Sequence, residues 1–398
     1  MSSVFHIKDI LKNHWPSFIK THKLRQVVID EVEKVIKCGD WHNGYTSYRC
    51  PHCGSMKIVP FRCHSRFCNT CGVAYQADRA ASIAAKLFRC KHRHIVFTIA
   101  EELRFYFRKY RFLLDILFKT ASSVIIRFTT QINKKEQLIP GMVCGLHTFG
   151  RDLKWNPHIH MLVSEGCIGK NTKWRPITFF PFKLLRSSWR TGLLKNMQEA
   201  LKAVLSENEF INFKNLVNKL YHDHKAGFYV NAPCTEFNNP NTVAKYITRY
   251  IGRPAMAQSR ISNYDGKNVT FWYQRHNDNK KVTETVSAEQ FIEKLIIHIP
   301  EKGFNMLRYY GAYSWPNEKH AHMLHMLHKN HLKIYKRYER LWSVRMQLSF
   351  NNNPLKCTCG AIMKYEDMYI PGYLPKKPPP IFKSAQQGDK QYGPRIYY

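Results

Sequence analysis

His158 and His160 lie two residues apart in a run that alternates between polar and apolar positions after Pro157. Side chains on a β-strand point alternately to its two faces, so both imidazoles would leave the same face. Two neutral imidazoles side by side can hold a divalent metal ion. We therefore interpret this pair as two metal ligands on one strand. The alternative is a half-buried strand whose histidines are satisfied by hydrogen bonds within the core.

A third ligand is expected, and His147 is the first choice because hairpin pairing would bring its strand beside His158. Asp152 and Glu165 are the alternatives. Other closely spaced histidines lie in less regular surroundings and are not interpreted as ligands. They occur at 92 and 94, at 222 and 224, and at 320, 322, 325 and 328.

Two tyrosines, Tyr246 and Tyr250, are spaced to share one face of a helix. A tyrosine phenolate can attack a phosphate and later leave it again, and a divalent metal neutralises the charge that develops on the phosphate oxygens. A metal and a tyrosine could thus cut a DNA strand and keep its end attached. Lys245, Arg249 and Arg253 adjoin the tyrosines, where they could meet phosphates. Alternatively, the tyrosines belong to a packing stripe.

Two Cys-x-x-Cys pairs, Cys50 with Cys53 and Cys68 with Cys71, are separated by about fifteen residues. Each pair can supply two thiolates to one tetrahedral ion, so this spacing predicts a structural zinc. Cys63 is a possible substitute ligand, and Cys38 and His64 are further spare candidates. Cys357 and Cys359 near the end of the sequence are too sparse to predict a site.

Arginines and aromatic residues alternate within the cysteine-rich segment, and Arg62 and Arg66 are candidates for contact with DNA. The whole chain of 398 residues carries a net charge of +34, from 62 Lys and Arg against 28 Asp and Glu. So basic a folded protein most often faces nucleic acid. The sequence contains no secretory signal or membrane-spanning run, and its 12 cysteines suit the reducing cytosol.

Hydrophobic periodicity predicts helices over 4–37, 76–88, 101–132 and 181–223. Strands are expected over 93–99, 142–149, 158–164 and 227–231, with a hairpin over 269–286. Asn239 and Pro240 are suited to begin the tyrosine helix, which Gly252 would end. We accordingly divide the chain into a helical and zinc-binding region (1–90), a nuclease domain (91–275), a hairpin and helical part (276–350) and a basic, proline-rich, disordered tail (351–398).

Taken in order, these motifs resemble the rolling-circle transposases of the insertion-sequence-91 type, the two-tyrosine branch of the HUH endonuclease superfamily. The agreement runs over most of residues 5–315 and includes segments 63–68, 94–98, 147–153, 157–160, 246–250, 298–304 and 308–311. The resemblance implies an α+β fold in which helices flank an antiparallel sheet that carries the histidine pair. It also implies Mg²⁺ or Mn²⁺ as a cofactor, single-stranded DNA as substrate, and Tyr246 and Tyr250 as nucleophiles.

On this basis the sequence predicts a cytoplasmic, nucleoid-associated transposase that nicks and rejoins DNA at the ends of its element and at the target. Two alternatives remain open. A plasmid replication initiator or relaxase would use the same chemistry for another purpose. A zinc-dependent nucleic-acid-binding protein without catalytic activity would bind with a steep dependence on salt but form no covalent adduct.

Overall fold

The structure, a computed structural model, describes residues 5–169, 173–177, 179–231, 240–251, 254–275, 278–314, 333 and 341–372, with the backbone alone at 240, 241 and 249–251. The helices it describes are α1 (Ile7–Thr21), α2 (Gln26–Lys37), α3 (Asn69–Ala84), α4 (Arg104–Lys109), α5 (Leu113–Ile132), α6 (Phe182–Lys202), α7 (Glu207–Asp223), α8 (Pro240–Ile251), α9 (Ala288–Ile296) and α10 (Trp342–Phe350). None of these is long and apolar enough to cross a membrane.

The strands in the described ranges form three antiparallel sheets. They are β1 (Tyr45–Arg49), β2 (Met56–Pro60), β3 (His92–Phe97), β4 (Ile139–Phe149), β5 (Trp155–Ile168), β6 (Trp174–Pro176), β7 (Val230–Asn231), β8 (Ile261–Tyr264), β9 (Asn268–Gln274), β10 (Lys281–Ser287), β11 (Leu307–Gly311) and β12 (Lys364–Tyr369). The predicted α+β fold with an antiparallel sheet is confirmed.

The central sheet has six strands in the order β11-β4-β5-β3-β7, with β6 paired to β5. Strand β5 is buried along nearly its whole length because it lies between β4 and β3 and is covered by helices. Helix α5 packs on β4 and β5, and α6 packs on α5. Helix α8 contacts β4 and β5 as well. The predicted hairpin of strands 142–149 and 158–164 is present as β4 and β5, and both strands extend beyond the predicted bounds.

A second sheet, β10-β9-β8, packs with α1, α2 and α9 around a separate hydrophobic core. A capping box begins α9: the Ser287 hydroxyl accepts from the amide of Gln290, whose side chain accepts from the amide of Ser287. This sheet spans residues 261–287, so it crosses the boundary that we predicted between 275 and 276.

The third sheet, β12-β1-β2, joins segments from near the two ends of the chain. Strand β12 lies within the region 351–398 that we expected to be disordered, and it pairs with β1 from Tyr369 opposite Tyr45 to Lys364 opposite Arg49. Residues 351–372 therefore do not belong to a disordered tail. Composition misled the prediction here because the strand is short and mostly exposed, with no apolar pattern to reveal it.

The zinc-binding region also differs in detail from the prediction. Helix α3 begins at Asn69, directly after Cys68, and ends at Ala84, whereas periodicity predicted 76–88. Its first turn contains Cys71, and the alanine-rich stretch forms only its second half.

Two other predicted helical stretches are each divided in the structure. The stretch 4–37 forms α1 and α2, separated at 22–25, and the stretch 101–132 forms α4 and α5 with a turn between them.

Candidate metal and tyrosine site

Three histidines lie together on the face of the central sheet that α8 covers. His147 on β4 is directly opposite His158 on β5, and His160 is two residues further along the same strand. The Nδ1 atom of His147 lies 3.1 Å from Nε2 of His158. One nitrogen from each of the three rings falls within 4.8 Å of the others. The structure thus brings together the pair and the first-choice third ligand.

The alternative third ligands are occupied elsewhere. Glu165 forms an ion pair with Arg93 at 2.7 Å, and both side chains are buried. Asp152 lies in the turn between β4 and β5, where its carboxylate accepts from the amide of Lys154 at 3.2 Å. Neither carboxylate belongs to the histidine group, so the hairpin register selects His147.

The backbone fixes the tautomer of His158. Its Nδ1 lies 2.6 Å from the carbonyl oxygen of Asn156, which can only accept, so Nδ1 carries the proton. The lone pair is therefore on Nε2, which points to His147. A neighbour that orients a ring in this way is a common feature of metal-binding histidines.

Burial keeps these rings neutral. It lowers the pKa of His158 to about 4, although the hydrogen bond to Asn156 opposes the shift. Burial, together with the neighbouring histidines, also lowers the pKa of His147 and of His160 well below the ordinary value. Three neutral imidazoles are the ligand form of histidine. Their number, protonation and proximity fit a divalent ion that keeps further coordination positions for substrate.

Helix α8 places Tyr246 beside His94, a neighbour of this histidine group. Val243, Ala244 and Ile247 are fully buried in the main core and fix the helix against the sheet. The hydroxyl oxygen of Tyr246 lies 3.3 Å from Nδ1 of His94 on β3. Tyr246 is therefore not merely one more member of the apolar stripe, since its hydroxyl reaches His94, which in turn contacts His160.

The other residues predicted around Tyr246 can be placed only in part. Lys245 is exposed on α8. Tyr250 and Arg249 lie on the same helix, but their side chains are outside the described part of the structure, as is the whole of Arg253. The histidines at 320, 322, 325 and 328 also lie outside it.

His94 belongs to the site, although its sequence pattern did not lead us to predict it as a site residue. Its Nε2 lies 2.9 Å from Nδ1 of His160, and the two rings stack with centroids 5.1 Å apart. Its other nitrogen faces Tyr246. Burial lowers the pKa of His94 to about 4. The signal that could have found it was the alternation of His92 and His94 on a strand, which we discounted as one of several His-x-His pairs.

Eight of the cysteines in the described part of the chain form two groups of four, and not the single group that was predicted. The first contains Cys38, Cys63, Cys68 and Cys71. Its sulfur atoms lie 3.6 Å apart between Cys38 and Cys71, 3.6 Å between Cys63 and Cys71, and 3.8 Å between Cys38 and Cys68. Tetrahedral zinc with bonds of about 2.3 Å needs sulfurs about 3.8 Å apart, so this group fits the ion.

The second group contains Cys50, Cys53, Cys357 and Cys359. The pairing of both Cys-x-x-Cys motifs on one ion is therefore corrected. Cys50 and Cys53 lie at the tip of the β1–β2 hairpin, where their sulfurs are beside those of Cys359 and Cys357. The spare candidates Cys38 and Cys63 complete the first group, whereas Cys357 and Cys359, which are remote in sequence, complete the second. Spacing along the chain could not distinguish these arrangements.

Comparison with known proteins decides the family. A family model described as "Transposase zinc-binding domain" matches residues 10–99, and one described as "Putative transposase" matches residues 141–321. The chain belongs to the insertion-sequence-91 family of rolling-circle transposases. The first matched range includes His94 and six of the eight grouped cysteines, and the second includes the three histidines and Tyr246.

Relatives of this transposase agree with that assignment. It is 29% identical over 310 residues to the "Transposase for insertion sequence element IS801" of Pseudomonas savastanoi pv. phaseolicola. The aligned residues cover 75% of this chain and 73% of the relative. It is 26% identical over 272 residues to "Putative transposase y4qJ" of Sinorhizobium fredii, covering 66% and 68%. No solved structure matches the chain.

A cavity of about 380 Å³ lies in the transposase between the zinc-binding region and the histidine group. Its lining includes Arg66, Tyr75, His147 and Phe149. The Arg66 guanidinium lies 5.8 Å from the centre of the Tyr75 ring. Arg62 is placed elsewhere and lines a smaller cavity beside α3 and α10. One of the two predicted DNA-contacting arginines is thus next to the site.

Proposed function

We propose that this transposase nicks and rejoins single-stranded DNA by transesterification, through a covalent 5′-phosphotyrosine intermediate. The observation that carries the proposal is the placement of Tyr246 beside His94 and, through it, beside the three-histidine group. A nucleophile whose oxygen is held next to a ready-made metal-binding group meets the geometric requirement for attack on a phosphodiester.

His147, His158 and His160 would hold the catalytic Mg²⁺ or Mn²⁺, and Cys38, Cys63, Cys68 and Cys71 a structural Zn²⁺. When bound, the catalytic ion would polarise the scissile phosphate and neutralise the charge on its oxygens. The burial that keeps the three rings neutral supports this assignment. The sequence context of the cysteines within the zinc-binding family model supports the zinc assignment.

The tyrosine would carry out the substitution at phosphorus. The Tyr246 oxygen forms a bond to the 5′-phosphate, the bond from phosphorus to the 3′-oxygen breaks, and the departing oxygen is protonated to a free 3′-OH. The phenolic proton is lost in the same step. The phosphotyrosine retains a phosphodiester, so the strand can be rejoined by the reverse reaction. Tyr250, four residues along the helix, would allow a second strand end to be held.

His94 would hold the proton that favours this attack. If His160 uses Nε2 for the metal, its Nδ1 carries a proton and donates to Nε2 of His94 at 2.9 Å. Neutral His94 then carries its own proton on Nδ1, 3.3 Å from the Tyr246 oxygen. That N–H donates to the phenolic oxygen and stabilises the phenolate over the phenol. One imidazole would thereby connect metal ligation with activation of the nucleophile.

Cations around the site would hold the DNA. Lys245 and Arg249 lie on the tyrosine helix, and Arg253 comes two residues after it in the sequence. Arg66 lines the cavity beside His147. Arg62 would contact DNA further from the cleavage point. With a net charge of +34, the protein is expected to bind element ends and target DNA with a steep dependence on salt. A cytoplasmic, nucleoid-associated location follows from this function.

The test uses end-labelled single-stranded DNA from the termini of the element, incubated with the purified protein and Mg²⁺ or Mn²⁺. A labelled adduct that resists SDS is expected, and it should be absent from the variant with both Tyr246→Phe and Tyr250→Phe. Tyr273→Phe, on β9 in the other hydrophobic core, is the matched control and should retain the adduct. Salt-sensitive binding without any adduct, on both termini and with both metals, would instead favour a binding protein without catalytic activity.

A further inference from the structure

We propose that Cys50, Cys53, Cys357 and Cys359 bind a second zinc ion, which closes a zinc ribbon built from two segments about 300 residues apart in the chain. The residues 357–359 lie outside both matched family ranges, 10–99 and 141–321. The proposal does not depend on the tyrosine chemistry.

The sulfur atoms of the four cysteines are placed as a tetrahedral ion requires. The Sγ atoms of Cys50 and Cys359, which are 309 residues apart, lie 3.5 Å from each other. Those of Cys53 and Cys357, which are 304 residues apart, also lie 3.5 Å from each other. All four fall within 4.8 Å, close to the sulfur separation of about 3.8 Å around zinc.

Two turns of the same kind present these sulfurs. In the first, the amide of Gly54 donates to the carbonyl of Cys50 at 3.0 Å, and Gly54 has a φ of 73°. In the second, the amide of Gly360 donates to the carbonyl of Cys357 at 3.0 Å, and Gly360 has a φ of 92°. Positive φ at this position suits glycine, which allows the chain to turn back sharply after the second cysteine.

Both turns close in the same way. The amide of Cys50 donates to the carbonyl of Ser55 at 2.8 Å, and that of Cys357 donates to the carbonyl of Ala361 at 2.9 Å. In each turn the acceptor directly follows the glycine. The second turn is one residue shorter, with Cys-x-Cys in place of Cys-x-x-Cys. Its short spacing therefore still provides two ligands, although sequence reasoning discounted it.

Each turn sits at the end of a β-hairpin-like segment, and the two segments are joined. Strand β12, which follows the second turn, pairs with β1, which leads into the first. The ammonium group of Lys57 on β2 is buried, and it donates to the carbonyls of Pro354 at 2.9 Å and Lys356 at 3.2 Å. These contacts hold the C-terminal turn against the N-terminal hairpin in the register that brings the sulfurs together.

The hydrophobic core of this unit is too small to account for its folding. Among the described residues, the buried cluster beside the four sulfurs contains only Cys50, Cys357 and Met363, and the sheet adds buried Tyr45 and Ile58. So small a cluster cannot offset the conformational entropy of ordering two segments, and small domains of this size commonly depend on a metal. Binding of zinc by four thiolates would supply the missing stabilisation.

The ribbon also connects the C-terminal segment with the first zinc group. Helix α10, which precedes the second turn, packs on α3. Arg345 on α10 forms an ion pair with Asp78 on α3 at 3.2 Å. Since α3 carries Cys71 of the first group, the two metal groups would be parts of one N-terminal assembly to which the C-terminal segment is essential.

The test is the metal content of the full-length protein, measured by mass spectrometry of the elements after purification under reducing conditions. We expect two zinc ions per chain, and one in the variant with both Cys357→Ser and Cys359→Ser. Cys90→Ser is the matched control, because Cys90 is partly buried, belongs to neither group, and should leave two ions.

One zinc per wild-type chain would overturn the proposal, as would two in the double variant or iron in place of zinc. If the double variant does not fold, the wild-type measurement still decides the stoichiometry. Replacement of the zinc by Co²⁺ then provides a second measurement on the wild-type protein, because two cobalt–thiolate sites give about twice the charge-transfer absorbance per chain of one site. These readouts are independent of the DNA adduct, so they remain informative if the nicking proposal fails.

Discussion

The hydroxyl of Tyr246 and the Nδ1 atom of His94 lie 3.3 Å apart, although the residues are separated by 152 positions in the chain. The opposite nitrogen of His94 contacts the proposed metal ligand His160. A tyrosine and a metal-binding group would thus be connected by a single buried ring. In the proposed mechanism His94 would be a positioning residue, and it can be tested apart from the ligands.

His94→Ala should reduce the rate of adduct formation by about 100-fold, because Tyr246 loses the donor that orients its oxygen. The rate is measured by single-turnover cleavage of labelled single-stranded DNA, together with Mn²⁺ affinity. His94→Gln should restore part of the rate, since an amide can also donate to the phenolic oxygen. His92→Gln, on the same strand, is the control for loss of a buried histidine. Equal losses in His92→Gln and His94→Gln would indicate a general packing effect.

His158→Ala should weaken Mn²⁺ binding by more than about 100-fold, because it removes one of three proposed ligands. Isothermal titration calorimetry with Mn²⁺ measures this without any DNA substrate. His22→Ala is a suitable control, since that ring lies among the α1 and α9 side chains and outside the histidine group. Unchanged Mn²⁺ affinity in His158→Ala would remove the metal from the proposed site.

The free energy of unfolding should decrease as the pH falls from about 6.5 towards 4. Burial lowers the pKa of His298 to about 4, so the folded state resists a proton that the unfolded chain accepts. The stability that neutral His298 contributes is therefore fully present above the pKa of histidine in the unfolded chain, and it is lost progressively as the pH falls below that value. Neutral His298 donates from Nε2 to the carbonyl of Leu153 at 3.0 Å, and its Nδ1 lies 3.1 Å from the Thr148 hydroxyl.

At pH 5 the unfolded chain binds a proton at His298 that the folded protein does not. This difference alone should lower the free energy of unfolding by about 2 kcal/mol relative to pH 7. Denaturant unfolding of His298→Gln at both pH values checks this, and the variant should show a smaller pH dependence than the wild type. A variant that is less stable but has the same pH dependence would show that His298 does not carry the effect.

Cys38→Ser should remove one zinc and lower the melting temperature. Cys38 belongs both to the first cysteine group and to the core formed by α1, α2 and α9. Zinc content and thermal unfolding provide the two readouts. The prediction discriminates between the observed grouping and a shared site for Cys50, Cys53, Cys68 and Cys71, in which Cys38 would be dispensable. Retention of the full zinc content in Cys38→Ser would support the shared site.

The sequence allowed the central hairpin to be predicted because its alternation is regular. His158 and His160 necessarily share a face once that strand is recognised, and the hairpin register places His147 opposite His158. The capping box at Ser287 could likewise be recognised, since its signal lies within four residues. Local patterns of this kind leave little freedom to the fold.

Features that depend on distant partners could not be predicted in the same way. Cys357 comes beside Cys53 only because β12 pairs with β1, and no local pattern of a short, exposed strand fixes that partner. His94 reaches His160 because β3 lies next to β5 in the sheet, an order that hydrophobic periodicity does not determine. Prediction of these long-range contacts requires the order of the strands in the sheets, which residue spacing alone does not provide.

The pairing of β12 with β1 also has a consequence for the gene. During synthesis, the hairpin that contains Cys50 leaves the ribosome some 300 codons before the strand that completes its sheet. That hairpin must wait until the roughly 300 residues between the two segments have been translated. A nonsense or frameshift mutation upstream of the codon for Cys357 would therefore damage a structure encoded some 300 codons earlier.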